Sequence, residues 1–386
     1  MRVLSFSSSF PSRANPASGV FVHRRLRALA EHVDLTVVHP VPWFPLYRPV
    51  TPGSSCRQEE IEGLAVHHPR FFYLPGVLKR FDGWFYCLGL SRWLRRHIRA
   101  AGRPDVLDAH FAWPDGVGVS YLARRLDLPY VITLRGTINP RYQVPCFRRR
   151  MADALRGASA VISVSRAMAS IAVELGADER KVHVIPNGVD TSMFSPMPRA
   201  EARRRLGLPE WGPLIVSVAS LKPDKGHGEV IEALSRLPKD AHLVIVGAET
   251  DRGAYLRSLK SRLREDGLTG RVTFEGPQPH STMPQYFNAA DVSVLASHHE
   301  GCPNVVLESL ACGTPVVATA VGGVPDLVRP GQNGELVPVN ASGVLADALA
   351  TALDKEWSRE AIRETVAGRS WGSVAREVLE VLETAA

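Results

Sequence analysis

Glu300 and Glu308 stand eight residues apart in the stretch HHEGCPNVVLESLACGTPVVATAVGG, His298 to Gly323. A Gly-Cys-Pro-Asn turn follows the first glutamate, and a short apolar helical run carries the second. Val292 to Leu295 upstream and Thr314 to Thr319 downstream read as buried strands. Glu300 is therefore expected at the C-terminal mouth of a strand, with Glu308 one or two turns into the next helix. Where that helix begins, the main-chain N–H groups of Gly301, Asn304 and Val305 lack partners within it, and the helix dipole favours an anion. Carboxylates accept hydrogen bonds from hydroxyls. The stretch thus suits a ligand that is both polyhydroxylated and phosphorylated.

Spacing alone does not decide this. With 22 glutamates in 386 residues, roughly one pair at this separation arises by chance. Glu356 and Glu364 form such a pair in a charged stretch, and they read as a solvated face. The apolar strands and the Gly/Pro turn set Glu300 and Glu308 apart from them.

These carboxylates need a scaffold. In the first half, Val3 to Phe6, Leu35 to Val38, Val106 to His110, Tyr130 to Leu134 and Ala160 to Val164 read as buried parallel strands. Stretches with apolar residues at helical spacing, such as Val22 to Glu31 and Val117 to Leu126, separate them. The second half repeats the pattern at Leu214 to Val218, Leu243 to Val246, Val272 to Phe274, Val292 to Leu295, Pro315 to Ala318 and Leu336 to Val337. Such alternation implies α/β architecture, with two doubly wound, Rossmann-like parallel-sheet domains. Pro186 to Pro198, with Asn-Gly, two prolines and little periodicity, reads as the linker. Domains of 1–190 and 191–370 are expected, facing across a cleft that holds the ligand at the strand C-termini. There is no GxGxxG fingerprint; Gly116 to Tyr121 has two of its three glycines, which argues against a dinucleotide redox enzyme.

Composition bounds the reading further. A length of 386 residues allows two domains of ordinary size, and 45% apolar with 22% charged residues is a globular balance. No apolar run approaches the ~20 residues that span a bilayer. MRVLSFSSSF is too short and polar for a signal peptide and reads as the first strand. Five scattered cysteines without a CxxC pair fit reduced thiols in the cytoplasm. Cys302 lies among the site residues as a small side chain. No metal-ligand cluster and no Asp-x-Asp pair is present, so no metal or other cofactor is expected. Residues 1–190 hold 26 Lys+Arg against 15 Asp+Glu, and residues 191–386 hold 20 against 24. No nucleic-acid motif accompanies this basic half, so anionic lipid head groups or a phosphorylated acceptor fit it better.

The E-x7-E stretch resembles the signature of retaining glycosyltransferases of GT-B architecture, family 4. Three further segments carry the resemblance in the right order: SGVFVHRRLRALA (Ser18 to Ala30), VIPNGVDTSMF (Val184 to Phe194) and ASLKPDKGH (Ala219 to His227). They are similar to the family's N-terminal glycine loop, interdomain segment and phosphate-binding segment. The start of the chain and DAHFAWPDG (Asp108 to Gly116) are similar to glycosyltransferases of bacterial surface-polysaccharide assembly of the teichuronic-acid type.

The resemblance implies a nucleoside-diphosphate sugar as donor, held by the second domain, and a glycan or polyprenyl-linked acceptor held by the first. Glu308 would bind the nucleotide ribose, and Glu300 the hydroxyls and developing positive charge of the transferred sugar. Gly301, Cys302, Pro303, Asn304 and Val305 would present main chain to sugar and phosphate. Lys225, after the Leu214 strand, would stabilise the departing diphosphate. Gly19 would let backbone approach that diphosphate, and Gly276 and Pro277 would face the nucleobase. The family commonly has arginine where Ser220 stands; Lys222 or Arg135 could supply the missing charge. His110, at a strand mouth, would contact the acceptor or shuttle a proton. Arg135 stands where members often carry histidine; it cannot act as a base at neutral pH but can grip a phosphate. The helix after Trp371 would cross back onto the first domain.

Aromatic and basic residues interleave from Arg70 to Arg99, either as a core helix with its flanking loop or as a surface resting on a membrane. A cytoplasmic enzyme at the inner face of the membrane suits the second reading. Two rivals remain: a sugar-nucleotide epimerase of similar architecture, and a non-catalytic nucleotide-sugar-binding partner.

Overall fold

The computed structural model describes residues 1–16, 18–44, 57–74, 76 and 78–386. Cys56, and Pro75 and Val77 of the aromatic run, lie outside the described residues. The chain divides into two compact units, Met1–Asn187 with Trp371–Ala386, and Gly188–Ser370.

Among the described residues the first unit contains ten strands: β1 (Arg2–Ser7), β2 (Asp34–Val38), β3 (Val41–Trp43), β4 (Gln58–Ile61), β5 (Leu64–His67), β6 (Arg70–Phe72), β7 (Val106–His110), β8 (Tyr130–Leu134), β9 (Ala160–Ser163) and β10 (Val182–Val184). Eight form one sheet in the order β10-β9-β8-β7-β1-β2-β5-β4, and β3 pairs with β6. All pairings are parallel except β4 with β5. The central β7 and β8 are buried at every residue, as strands covered by helices on both faces must be. On one face, Val22, Leu26 and Leu29 of the Val20–Leu29 helix pack with Val374, Val378 and Leu382 of the Trp371–Ala385 helix. Elsewhere on this unit the Val117–Leu126 helix packs against both the Asp82–Ala101 and the Pro145–Arg156 helices.

The second unit holds β11 (Leu214–Val218), β12 (His242–Val246), β13 (Val272–Gly276), β14 (Val292–Leu295), β15 (Val316–Thr319) and β16 (Gly334–Val337). They form an all-parallel sheet in the order β13-β12-β11-β14-β15-β16. The order reverses beside β11 and β14, so the loops leaving these two strands diverge around a crevice at their C-terminal ends. Open α/β sheets bind ligands at such a point. The Ala219–Lys225 loop leaves β11 and the segment carrying Glu300 leaves β14. Buried Arg203 braces this unit, donating to the carbonyls of Ala289, Glu210 and Gly212 and to Asp291.

Candidate active site

In the second unit, β14 ends at Leu295 and the Asn304–Ala311 helix begins nine residues later. Pro303 stands at its N-cap with no side-chain capping hydrogen bond, and the Val306 amide donates to the Pro303 carbonyl at 3.1 Å. Glu308 is the fifth residue of this helix, and its side chain is only 5% exposed. Burying a carboxylate is costly unless it is paired. The His280 Nε2–H donates to Glu308 Oε1 at 2.9 Å. That bond sets the histidine tautomer and fixes one carboxylate oxygen. The His280 ring is itself held edge-on to Phe194 at 5.2 Å.

Glu300 lies before the helix, and Lys225 Nζ donates to its Oε1 at 2.7 Å. Both side chains are mostly buried, at 21% and 14% exposed. Two flanking loops bring them together. The Pro223–Lys225 turn is tied to the β14 loop by the His298 amide donating to the Asp224 carbonyl at 2.9 Å. The Glu300 main chain is pressed against Gly322, where a Cβ would stand 1.9 Å from the Glu300 carbonyl oxygen at a φ of 54°. Only glycine satisfies both conditions.

Ser220 is anchored from behind by His227, which is fully buried and whose Nε2–H donates to the Ser220 carbonyl at 3.3 Å. Its Nδ1 therefore accepts from the Ser217 hydroxyl, 3.4 Å away. Burial lowers the His227 pKa, which keeps the ring neutral as this arrangement needs. Gly276 closes β13, its carbonyl accepting from the Gly247 amide at 2.9 Å, with Pro277 exposed just beyond. Asn304 is buried at the helix start, whereas Gly301, Cys302 and Val305 are part-exposed.

In the first unit, Ser5, Asp108 and His110 meet on one sheet face. Asp108 and His110 are two residues apart on β7, so they share a side, and Ser5 is the β1 residue in register with Asp108. The Ser5 hydroxyl donates to Asp108 Oδ2 at 2.8 Å, and His110 Nε2 lies 3.0 Å from the same oxygen. All three are fully buried. Burial would push the Asp108 carboxyl up, but His110, Arg25 and Ser5 together hold it well below the usual carboxylate range. Burial pushes His110 down to about 4, so at neutral pH it is a neutral ring that donates through Nε2. Its Nδ1 has no hydrogen-bond partner among the described residues. Arg135 is buried at the end of β8, and its Nη1 donates to Asn187 Oδ1 at 3.2 Å. Gly19 begins the Val20–Leu29 helix, and a Cβ there would meet the Ser9 carbonyl at 2.2 Å.

The structure thus brings together Lys225 with Glu300 in one unit, and sets His110 and Arg135 in the other. His280, His227, Gly322, Ser5 and Arg25 were not singled out from the sequence. His280 is 28 residues from its carboxylate, and no local pattern announces that pairing. Among the described residues, no group of three or more His, Cys, Asp or Glu side chains could hold a metal ion.

Two family models match the chain: Glycosyltransferase Family 4 over residues 18–193 and Glycosyl transferases group 1 over residues 198–369. The chain belongs to glycosyltransferase family 4, the retaining, nucleotide-sugar-dependent glycosyltransferases of GT-B fold. It is 32% identical over 374 residues to TuaC of Bacillus subtilis (strain 168), whose name is that of a teichuronic acid biosynthesis glycosyltransferase; the match covers 90% of this chain and 88% of that protein. It is 32% identical over 303 residues to a D-inositol 3-phosphate glycosyltransferase of Xylanimonas cellulosilytica, covering 73% and 72%. Among solved structures, sucrose-phosphate synthase from Thermosynechococcus elongatus matches with a TM-score of 0.79 at 22% identity over 99% and 98% of the two chains. Anabaena Alr3699/HepE in complex with UDP-glucose matches with a TM-score of 0.77 at 21% identity over the whole of both chains.

Proposed function

We propose that this enzyme moves a sugar from a nucleoside-diphosphate sugar to a glycan or lipid-linked acceptor in cell-surface polysaccharide synthesis. The observation that carries the reading is the Lys225–Glu300 ion pair beside the uncapped helix that bears Glu308. A cation, an anion-binding helix start and two fixed carboxylates answer, in turn, the diphosphate, sugar and ribose of such a donor. The TuaC likeness supports the surface-polysaccharide setting, and UDP-glucose is the donor to try first because the Alr3699/HepE complex contains it.

In this reading Glu308 takes the ribose hydroxyls on its remaining lone pairs while His280 holds its carboxylate still. Lys225 has three donors; one stays on Glu300 and another turns to the diphosphate. Ser220 adds a hydroxyl, Gly301 to Val305 add main-chain contacts, and Gly276 and Pro277 border the base. Gly19, His110 and Arg135 belong to the acceptor-side unit, where the sealed His110 positions the Asp108 and Ser5 side chains rather than shuttling protons. The bond from the anomeric carbon to the diphosphate oxygen breaks as the acceptor oxygen bonds to the same face of that carbon. The acceptor proton passes to the departing diphosphate. Positioning and electrostatics then do most of the catalysis.

The test incubates purified protein with UDP-, GDP- and ADP-sugars labelled in the sugar, plus a membrane extract. Label in lipid or glycan with retained anomeric configuration supports the proposal. An isomerised sugar without acceptor would favour an epimerase, and nucleotide binding without turnover a non-catalytic partner; either would overturn it.

A further inference from the structure

Asp115 takes no part in the sugar transfer outlined for the site, yet it is a fully buried carboxylate in the first unit. β1 and β7 lie side by side with Ser7 in register with His110, so the segments leaving their C-terminal ends run next to each other. The segment after β7 starts at Phe111, whose φ of 76° is left-handed for a residue with a Cβ. A bulky residue stays in that region only where its surroundings require it. The turn closes as the Gly116 amide donates to the Phe111 carbonyl at 2.9 Å, and it brings Asp115 to the segment after β1. There the Ser8 hydroxyl donates to Asp115 Oδ2 at 2.6 Å, and the Ser8 backbone also hydrogen-bonds the carboxylate. From the Asp82–Ala101 helix, the buried Tyr86 hydroxyl donates to Oδ1 at 3.0 Å. Neutral donors thus occupy both oxygens, and among the described residues no cation pairs with them.

Burial pushes the Asp115 carboxyl up to about 6. The fold therefore favours the protonated form and loses stability as pH rises toward 6, so the ionised group is a cost at neutral pH. Local rules broken in this way mark positions kept for function. What Asp115 holds shows which function. The Ser7 hydroxyl donates to the Ser9 carbonyl at 2.7 Å, and the Ser9 and Ser18 hydroxyls lie 3.3 Å apart. The Ser9 carbonyl is the atom that a Cβ on Gly19 would strike. His39 hydrogen-bonds the Ser8 backbone as a further anchor. We propose that Asp115 is a positioning residue for sugar transfer: through Ser8 it holds the Ser7–Ser9 main chain against Gly19, in place for the donor diphosphate. Asp115 is sealed and does not reach substrate, so it acts through Ser8 alone. The inference deepens the proposed function and rests on its reading of the donor and of Gly19.

Steady-state transfer from the accepted nucleotide-sugar, calorimetric titration of UDP, GDP and ADP, and thermal melting of the full chain test it in D115A, D115N and S8A. In D115A kcat should fall about 100-fold, as a misplacement of about 1 Å does. D115N keeps an oxygen acceptor for Ser8 but not the charge, which roughly halves the strength of the bond; kcat should recover to about tenfold below the parent. S8A removes one hydrogen bond to a charged group and should also lose about tenfold. Ser8 is exposed, so S8A should melt as the parent does, and it keeps the test decisive if D115A folds poorly. Nucleoside-diphosphate Kd should stay within about threefold throughout, which places the loss in kcat rather than in nucleotide binding. Parent-like turnover in S8A would overturn the proposal. So would equal losses in D115N and D115A, which would assign the charge itself to the chemistry. A parent that neither binds a nucleoside diphosphate nor transfers sugar would sink the donor reading, and this proposal with it; a parent that does both while S8A matches it sinks this proposal alone.

Discussion

Gly322→Ala separates the two halves of the proposed donor site. An alanine Cβ at this position would lie 1.9 Å from the Glu300 carbonyl oxygen, whereas real Cβ atoms come no closer than 3.0 Å, so that carbonyl must retreat by at least about 1.1 Å. Glu300 moves with its own main chain, and its 2.7 Å bond to Lys225 cannot survive such a shift in the same geometry. A misplacement of about 1 Å at a reacting centre costs on the order of 100-fold in rate. The left-handed φ of 54° adds a stability cost of about 1–2 kcal/mol for a residue with a Cβ. Glu308 and His280 sit on other segments, so nucleotide binding should survive. The assay is steady-state sugar transfer from the accepted nucleotide-sugar, read beside calorimetric titration of the free nucleoside diphosphate. We expect kcat to fall about 100-fold while nucleotide Kd stays within about threefold. Turnover within threefold of the parent would refute the argument that Gly322 aims Glu300.

His280→Ala frees the Glu308 carboxylate to rotate, so KM for the donor should rise several-fold with kcat little changed; a selective fall in kcat would assign His280 to the chemistry. Arg203→Ala removes four hydrogen bonds from a buried guanidinium and should cost about 3–5 kcal/mol, lowering the melting temperature of the Gly188–Ser370 unit by roughly 10 °C. Burial pushes His39 and His67 down to about 4 each. The unfolded chain then binds the extra protons, so the stability these groups contribute is full above about pH 6.5 and is lost as pH falls toward 4. Denaturant melts across pH 4–7 should show this decline, and it should be shallower in His39→Gln and His67→Gln.

Much of the architecture was legible because strands buried on both faces leave continuous apolar runs. Val106–His110, Tyr130–Leu134, Leu214–Val218 and Val292–Leu295 occur as read. The elements not anticipated are short, exposed or polar. Gln58–Ile61 is a charged antiparallel edge strand, Val182–Val184 has three residues, and Val41–Trp43 and Arg70–Phe72 pair away from the main sheet. Edges carry charge to resist further pairing, and that erases the apolar signal used to find them. At the candidate site, Lys225 and Glu300 each stood out by local context. Their 2.7 Å contact joins residues 75 apart in sequence, and it depends on β11 and β14 lying side by side. Likewise Asp108 and His110 share a strand face, but Ser5 and Arg25 reach them only through strand order and helix packing.

Calorimetric titration of UDP, GDP and ADP into the parent, Lys225→Ala and Glu308→Ala tests the donor-site assignment most directly. A hydrogen bond to a charged group is worth about 1.5–3 kcal/mol, or about 10- to 150-fold in affinity. One diphosphate should therefore bind the parent and bind each folded variant at least tenfold more weakly. Equal affinity in all three proteins would contradict the account.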